Sequence, residues 1–204
     1  MTHPPVLEKI INNFRKLPGI GPKSAEKIAL FLIDSNPKFI KEFYESIKDI
    51  IGNIKKCKIC FSITTTDTCN ICSSNLRNKN TICVVETYKD LIMIENIGEY
   101  DGLYHILEGR LSPIKNINPE NLRIKELMER IKNPENNIKE VIIATSPNME
   151  GDATGFYIAQ EIKKNNINVK ITRLAKGLPS GADLEFADRL TLINSLKNRE
   201  EMKI

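Results

Sequence analysis

The 204-residue sequence has no tryptophan, only two histidines and 6% aromatic residues. A protein that holds single strands by stacking bases on aromatic rings needs more than that, so contacts to a polyanion should fall on phosphate rather than on bases. His3 and His105 are isolated, and neither has a sequence neighbour that suggests general-base work. No apolar run approaches the roughly 18 to 20 residues that cross a bilayer. The amino terminus, MTHPPVLEKI, lacks the cationic and then apolar layout of a secretory signal. These absences predict a soluble, cytoplasmic protein with no membrane partner.

What is present is ordinary for a globular chain: 41% hydrophobic residues, 27% charged, and ten each of Gly and Pro. That suffices for one large or two small domains with real cores. The formal net charge is +4, and its distribution is uneven. Residues 1–79 carry 13 Lys+Arg against 7 Asp+Glu, and residues 80–204 carry 17 against 19. A polyanion should therefore prefer the front of the chain.

Apolar periodicity divides the sequence. Val6, Leu7, Ile10, Ile11 and Phe14 form a helical stripe, a Pro-Gly turn follows over Leu17–Pro22, and Ala25, Ile28, Ala29 and Leu32 form a second stripe. A third helix is predicted over 38–51, with Phe39, Phe43, Ile47 and Ile50 on one side. Residues 57–79 lack periodicity. Strands are then predicted at 81–86, 103–107, 140–145 and 169–173, alternating with helices at 88–96, 119–132 and 153–165. Continuous apolar strands separated by helices imply a mostly parallel sheet covered on both faces. The fold class is a multidomain α/β protein: a helical hairpin domain (1–54), a small cysteine knuckle (55–79), an α/β domain (80–173) and a helical tail segment (174–204).

The turn LPGIGPKSAEKI places Gly19 and Gly21 directly before a helix start. Without Cβ atoms they allow close approach to the unpaired N–H groups and positive dipole end of the first helical turn, which together bind anions. Lys23 and Lys27 add cationic charge on the same face. First-turn lysines oppose the helix dipole, so a ligand explains them better than stability does. The stretch resembles the helix-hairpin-helix element that holds DNA backbones without reading sequence. It is not a P-loop, because Pro22 separates Gly21 from Lys23. The plain alternative is an αα-hairpin with a Pro-Gly turn.

Cys57, Cys60, Cys69 and Cys72 form two CxxC pairs eight residues apart. Such pairs can present four thiolates to one tetrahedral Zn²⁺, folding a stretch too poor in apolar residues to fold alone. Four protein ligands leave no open position, so the expected zinc is structural. Cys83, within the strand ICVV, reads as a core residue.

Glu86 closes the first strand of the α/β half, and Glu150 and Asp152 are predicted to lie in the loop after Thr145. Carboxyl ends of parallel strands are where open α/β sheets bind ligands, and three converging carboxylates could hold Mg²⁺. The arrangement resembles the Toprim domain of topoisomerases, primases and some nucleases, although Glu150-Gly-Asp152 departs from its DxD acidic pair. The alternative is that these acids cap a helix or meet a protein partner. No tyrosine stands out as a nucleophile: Tyr44, Tyr88, Tyr100, Tyr104 and Tyr157 are all explicable by packing or surface placement.

The order of these elements, with the stretches LPGIGPKSAEKIA, TICVVE, GLYHILEGRLSP, IIATSPNMEGDATGFYIA and TRLAKGLPSGADLEFAD, resembles the RecR family of bacterial recombination mediators over nearly the whole chain. The resemblance implies a non-catalytic DNA-repair factor that assembles as a dimer or ring-like tetramer. It would act with RecO, and with RecF where present, to promote RecA loading onto single-stranded DNA. It also implies DNA contact by Lys23 and Lys27, zinc ligation by the four cysteines, and a RecO-facing surface at Glu86, Glu150 and Asp152. The tail resembles the family's Walker-B-like segment, exchanged between subunits. Departures from the family pattern fall at Gly155, Ser180 and Ala182. The reading from a different class is a Mg²⁺-dependent Toprim nuclease or topoisomerase-like enzyme.

Overall fold

The computed structural model describes residues 3–181, 183–199 and 201. Ala182 lies outside them, as do residues 200 and 202–204 of the tail. The chain divides into two compact units, Met1–Ile54 and Lys55–Ile204.

The first unit is helical: α1 (Pro5–Phe14), α2 (Pro22–Asp34) and α3 (Pro37–Asn53). Each helix begins with proline at its first position, where the missing N–H costs nothing. In α1 the inward face is narrower than the sequence stripe suggests: Leu7, Ile11 and Phe14 are half-buried, while Val6 is 82% exposed. Ala25 and Ala29 of α2 are the buried residues of this unit among those described. On α3, Phe39, Phe43, Ile47 and Ile50 remain exposed in the single chain.

The second unit opens with a small antiparallel ribbon, β1 (Lys55–Lys56) against β2 (Ile63–Thr64), followed by the short α4 (Asn70–Ser73). A four-stranded parallel sheet comes next. Its strands are β3 (Asn78–Val85), β4 (Gly102–Ile106), β5 (Glu140–Ile143) and β6 (Lys170–Arg173), in the order β4-β3-β5-β6. The connecting helices are α5 (Tyr88–Glu95), α6 (Ile124–Lys132) and α7 (Met149–Lys164), and α8 (Arg189–Lys197) lies in the tail.

Strand alternation assigns the core. Ile82 and Val84 of β3 join Val141 and Ile143 beneath Leu127 and Ile131 of α6 and Ile158 and Ile162 of α7. Cys83 and Val85 point the other way, with Tyr104, Ile106 and Leu91 of α5. The chain leaves β3 toward β4 through α5 and returns across β3 to β5 through α6, and these two helices pack on opposite faces of the sheet. The reversal leaves a crevice beyond the carboxyl ends of β3 and β5, the topological switch point of the sheet.

Two boundaries differ from expectation. The helix predicted over 119–132 is a single 3₁₀ turn, Pro119–Asn121, then an extended Leu122 and α6 proper; Asn118 and Asn121 box that turn, so it stops. The helix predicted from 153 starts at Met149, because the Asn148 side chain accepts the Gly151 N–H at 2.9 Å. Glu150 and Asp152 are therefore first-turn helical residues rather than loop residues.

Candidate functional site

In the helical unit, Gly19 adopts φ +78°, a left-handed conformation that favours glycine, and a side chain there would meet nothing within 4 Å. Gly21 is the N-cap of α2. Among the described residues no side chain caps this terminus and no acid sits in its first turn, so first-turn N–H groups find no partner there. Lys23, Ser24, Glu26, Lys27 and Leu30 line a shallow recess of about 360 Å³ along the same helix. Glu26 pairs with His3, whereas neither Lys23 nor Lys27 has an ion-pair partner among the described residues. The hairpin thus presents uncapped amides beside two free cations, a combination suited to phosphate.

The knuckle brings Cys57, Cys60, Cys69 and Cys72 together, with all four sulfurs within 4.8 Å of one another. A tetrahedral Zn²⁺ with bonds of 2.3 Å needs sulfurs about 3.8 Å apart, and Cys60 Sγ lies 3.5 Å from Cys69 Sγ. The four residues fit zinc. Phe61, at φ +64°, turns the chain after the first pair, and its N–H donates to the Cys57 carbonyl at 3.0 Å. The Cys69 N–H donates to Cys57 Sγ at 3.3 Å. As bare thiols the group competes for protons: hydrogen bonds from Cys60 and Cys72 hold Cys69 far below the ordinary thiol range, while those two are pushed up. One Zn²⁺ would resolve the competition by taking four thiolates. Arg130, which shares a recess with Cys72 and donates to the Tyr104 carbonyl at 2.7 Å, offers a nearby counter-charge; burial lowers its pKa and the cysteines raise it.

At the switch point the three acids do not share one bare cavity. Glu86 is 3% exposed. Its Oε1 accepts the Ser146 N–H at 2.7 Å, and its Oε2 accepts Ser146 Oγ and Arg110 Nη1, both at 2.9 Å. Glu150 Oε2 accepts Arg110 Nε at 2.8 Å, and its Oε1 accepts the Ser112 hydroxyl. Asp152 turns to the tail side, pairing with Arg173 and Lys176 at 2.7 Å each. Hydrogen bonds from Ser112 and Arg110 hold the Glu150 carboxyl below its usual range, and Lys176 with Arg173 does the same for Asp152. Among the described residues the four cysteines are the cluster with metal-ligand geometry. The acids do not fit the shared Mg²⁺ site the sequence suggested, because each already faces a fixed cation.

Sequence reasoning missed Arg110, Ser146 and Gly151. A Cβ on Gly151 would lie 2.1 Å from the Ser146 carbonyl oxygen, so only glycine lets α7 press onto that loop. The departure at Gly155 also has a local cause: a Cβ there would lie 2.8 Å from Ile143 Cγ2.

A helical hairpin, a closed four-cysteine centre that fits zinc and a Toprim-type sheet whose acids face arginine and lysine define a Toprim protein with structural zinc. Family models agree. The Toprim domain matches residues 80–175, the RecR helix-hairpin-helix 7–51, the RecR zinc finger domain with four cysteines 54–74, and the RecR C-terminal segment 177–200. The chain belongs to the RecR family and is a recombination and repair protein of the RecR type. No helix among the described residues is long and apolar enough to cross a membrane.

Proposed function

We propose that the chain is a non-catalytic, cytoplasmic recombination mediator that grips DNA through phosphate at the α2 terminus. It would act with RecO, and with RecF where present, to help load RecA onto single strands. The observation that carries the DNA reading is the start of α2, uncapped among the described residues, with Gly19 and Gly21 beside Lys23 and Lys27, which have no ion-pair partner among those residues.

One hairpin neutralises few phosphates, so a single copy should bind weakly at physiological salt, whereas several copies on one strand gain from effective concentration. Self-assembly as a dimer or ring-like tetramer is supported by the apolar residues that single-chain folding leaves open. Phe31, Phe39 and Phe43 in the first unit, and Leu184, Phe186 and Leu190 in the tail, are all exposed. The RecO-facing surface is formed by Glu150 and Asp152, whose side chains are 30% and 41% exposed, with buried Glu86 holding it from beneath.

Fluorescence anisotropy with labelled single-stranded DNA at low salt tests the reading. Lys23→Ala with Lys27→Ala should abolish binding while zinc content and melting stay unchanged, and retained affinity would reject the site. A Toprim enzyme is the competing class. Mg²⁺-dependent cleavage of supercoiled DNA that vanishes in Glu86→Gln would establish it instead.

A further inference from the structure

The Toprim fold family implies a divalent cation at the acids beyond β3 and β5, and this chain disagrees with that expectation at one residue. We propose that Arg110 is a built-in counter-cation that keeps divalent metal out of the Glu86–Glu150 pair, leaving the switch point as a metal-free surface.

The guanidinium spans both carboxylates, through Nη1 to Glu86 and Nε to Glu150. Together with Ser146 and Ser112 it gives every oxygen of the two carboxylates a donor. A Mg²⁺ ion requires bare oxygens at about 2.0–2.1 Å in near-octahedral order. It could obtain them here only by expelling Arg110 and breaking its charge-assisted hydrogen bond to each carboxylate.

The arginine is placed there by backbone, which separates it from a mobile surface cation. On its amino-terminal side, the Gly109 N–H donates to the Glu86 carbonyl at 2.9 Å. On its carboxyl side, the Leu111 N–H donates to Thr154 Oγ1 at 2.9 Å. The loop carrying Arg110 is thus tied to the end of β3 and to the first turns of α7, the two elements that supply the acids. Arg110 gives the buried Glu86 carboxylate a charged partner and offsets half the charge of the Glu86–Glu150 pair, since an unpaired buried charge is strongly unfavourable.

The test is Mn²⁺ binding to the zinc-loaded full chain, followed by electron paramagnetic resonance. Wild type should show no saturable Mn²⁺ site that responds to Glu150→Gln. Arg110→Gln should gain one site at least tenfold tighter than anything in wild type, and Glu150→Gln added to it should remove that site. A wild-type Mn²⁺ site abolished by Glu150→Gln would overturn the proposal, even if Arg110→Gln failed to fold. So would a folded Arg110→Gln variant, with unchanged zinc content and melting, that gained no Mn²⁺ affinity. DNA binding at α2 is read separately and is expected to survive every one of these variants.

Discussion

Ile106, the last residue of β4, donates its backbone N–H to the carbonyl of Cys60 at 2.9 Å. Because β4 is an edge of the sheet, a zinc-knuckle residue there satisfies a group that would otherwise invite pairing with another chain. Ile71, between Cys69 and Cys72, packs against the knuckle and against both faces of the sheet core. Metal loss should therefore reach beyond the knuckle. Removing zinc with a chelator, or substituting Cys57→Ser, should speed amide exchange at Ile106 by about tenfold or more, while exchange in α1 and α2 stays as before. Unchanged protection at Ile106 would show that the sheet edge does not depend on the metal.

The lysines of α2 make a second, quantitative prediction. Each phosphate contact contributes about 0.7 to the slope of log affinity against log salt on single strands, and about 0.9 on duplex. Losing Lys23 and Lys27 should flatten the single-strand slope by up to about 1.4 per engaged hairpin. A substitution elsewhere that weakens assembly should lower affinity with a smaller change in slope per bound subunit. Anisotropy titrations across a salt series separate the two cases.

Gly151 offers a steric test of the switch point. Alanine is the better helix former by about 1 kcal/mol. At this position, though, its Cβ would overlap the Ser146 carbonyl oxygen at 2.1 Å and approach Glu86 Oε1 at 2.9 Å. Overpacking against backbone cannot relax by a rotamer change, so Gly151→Ala should destabilise by about 3 kcal/mol. Urea denaturation measures it. A neutral result would mean that the loop after β5 yields readily.

Much of this was legible from sequence where local chemistry decides structure. The strand stretches around Ile82–Val85 and Val141–Ile143 read as parallel because they are apolar on both faces, and each does feed two core clusters or lie between two strands. The CxxC spacing and the Pro-Gly turn carried their geometry in consecutive residues. The acid cluster was not legible, because its neutralising partners are distant: Arg110 lies 24 residues from Glu86 and 40 from Glu150. The start of α7 was missed for a smaller reason. Its cap, Asn148, sits in a Ser-Pro-Asn stretch that reads as loop until its side chain is seen on the Gly151 N–H. Nor could periodicity alone choose between Val6 and Leu7 for the inner face of α1.

His105 is fully buried in β4, with Nε2 2.8 Å from the Arg123 carbonyl, so Nε2 must be the donor. Nδ1 is then an unprotonated buried nitrogen without a partner among the described residues. Phe61 meets the ring edge-on at 5.4 Å, and the charged groups around it are Arg130, Glu126 and Arg123. Burial pushes the imidazole pKa down to about 4, against about 6.5 in an unfolded chain. The unfolded chain therefore takes up the proton first. This contribution to stability is complete above about pH 6.5 and is lost progressively as pH falls toward about 4, amounting to about 3 kcal/mol across the window. Thiolate protonation at the knuckle adds to the acid sensitivity of any variant, so the comparison must be differential. His105→Gln, whose amide can still donate to the Arg123 carbonyl, should lose less stability than wild type between about pH 7 and about 4.5 when urea midpoints are compared. Parallel pH profiles for the two proteins would remove His105 as the source.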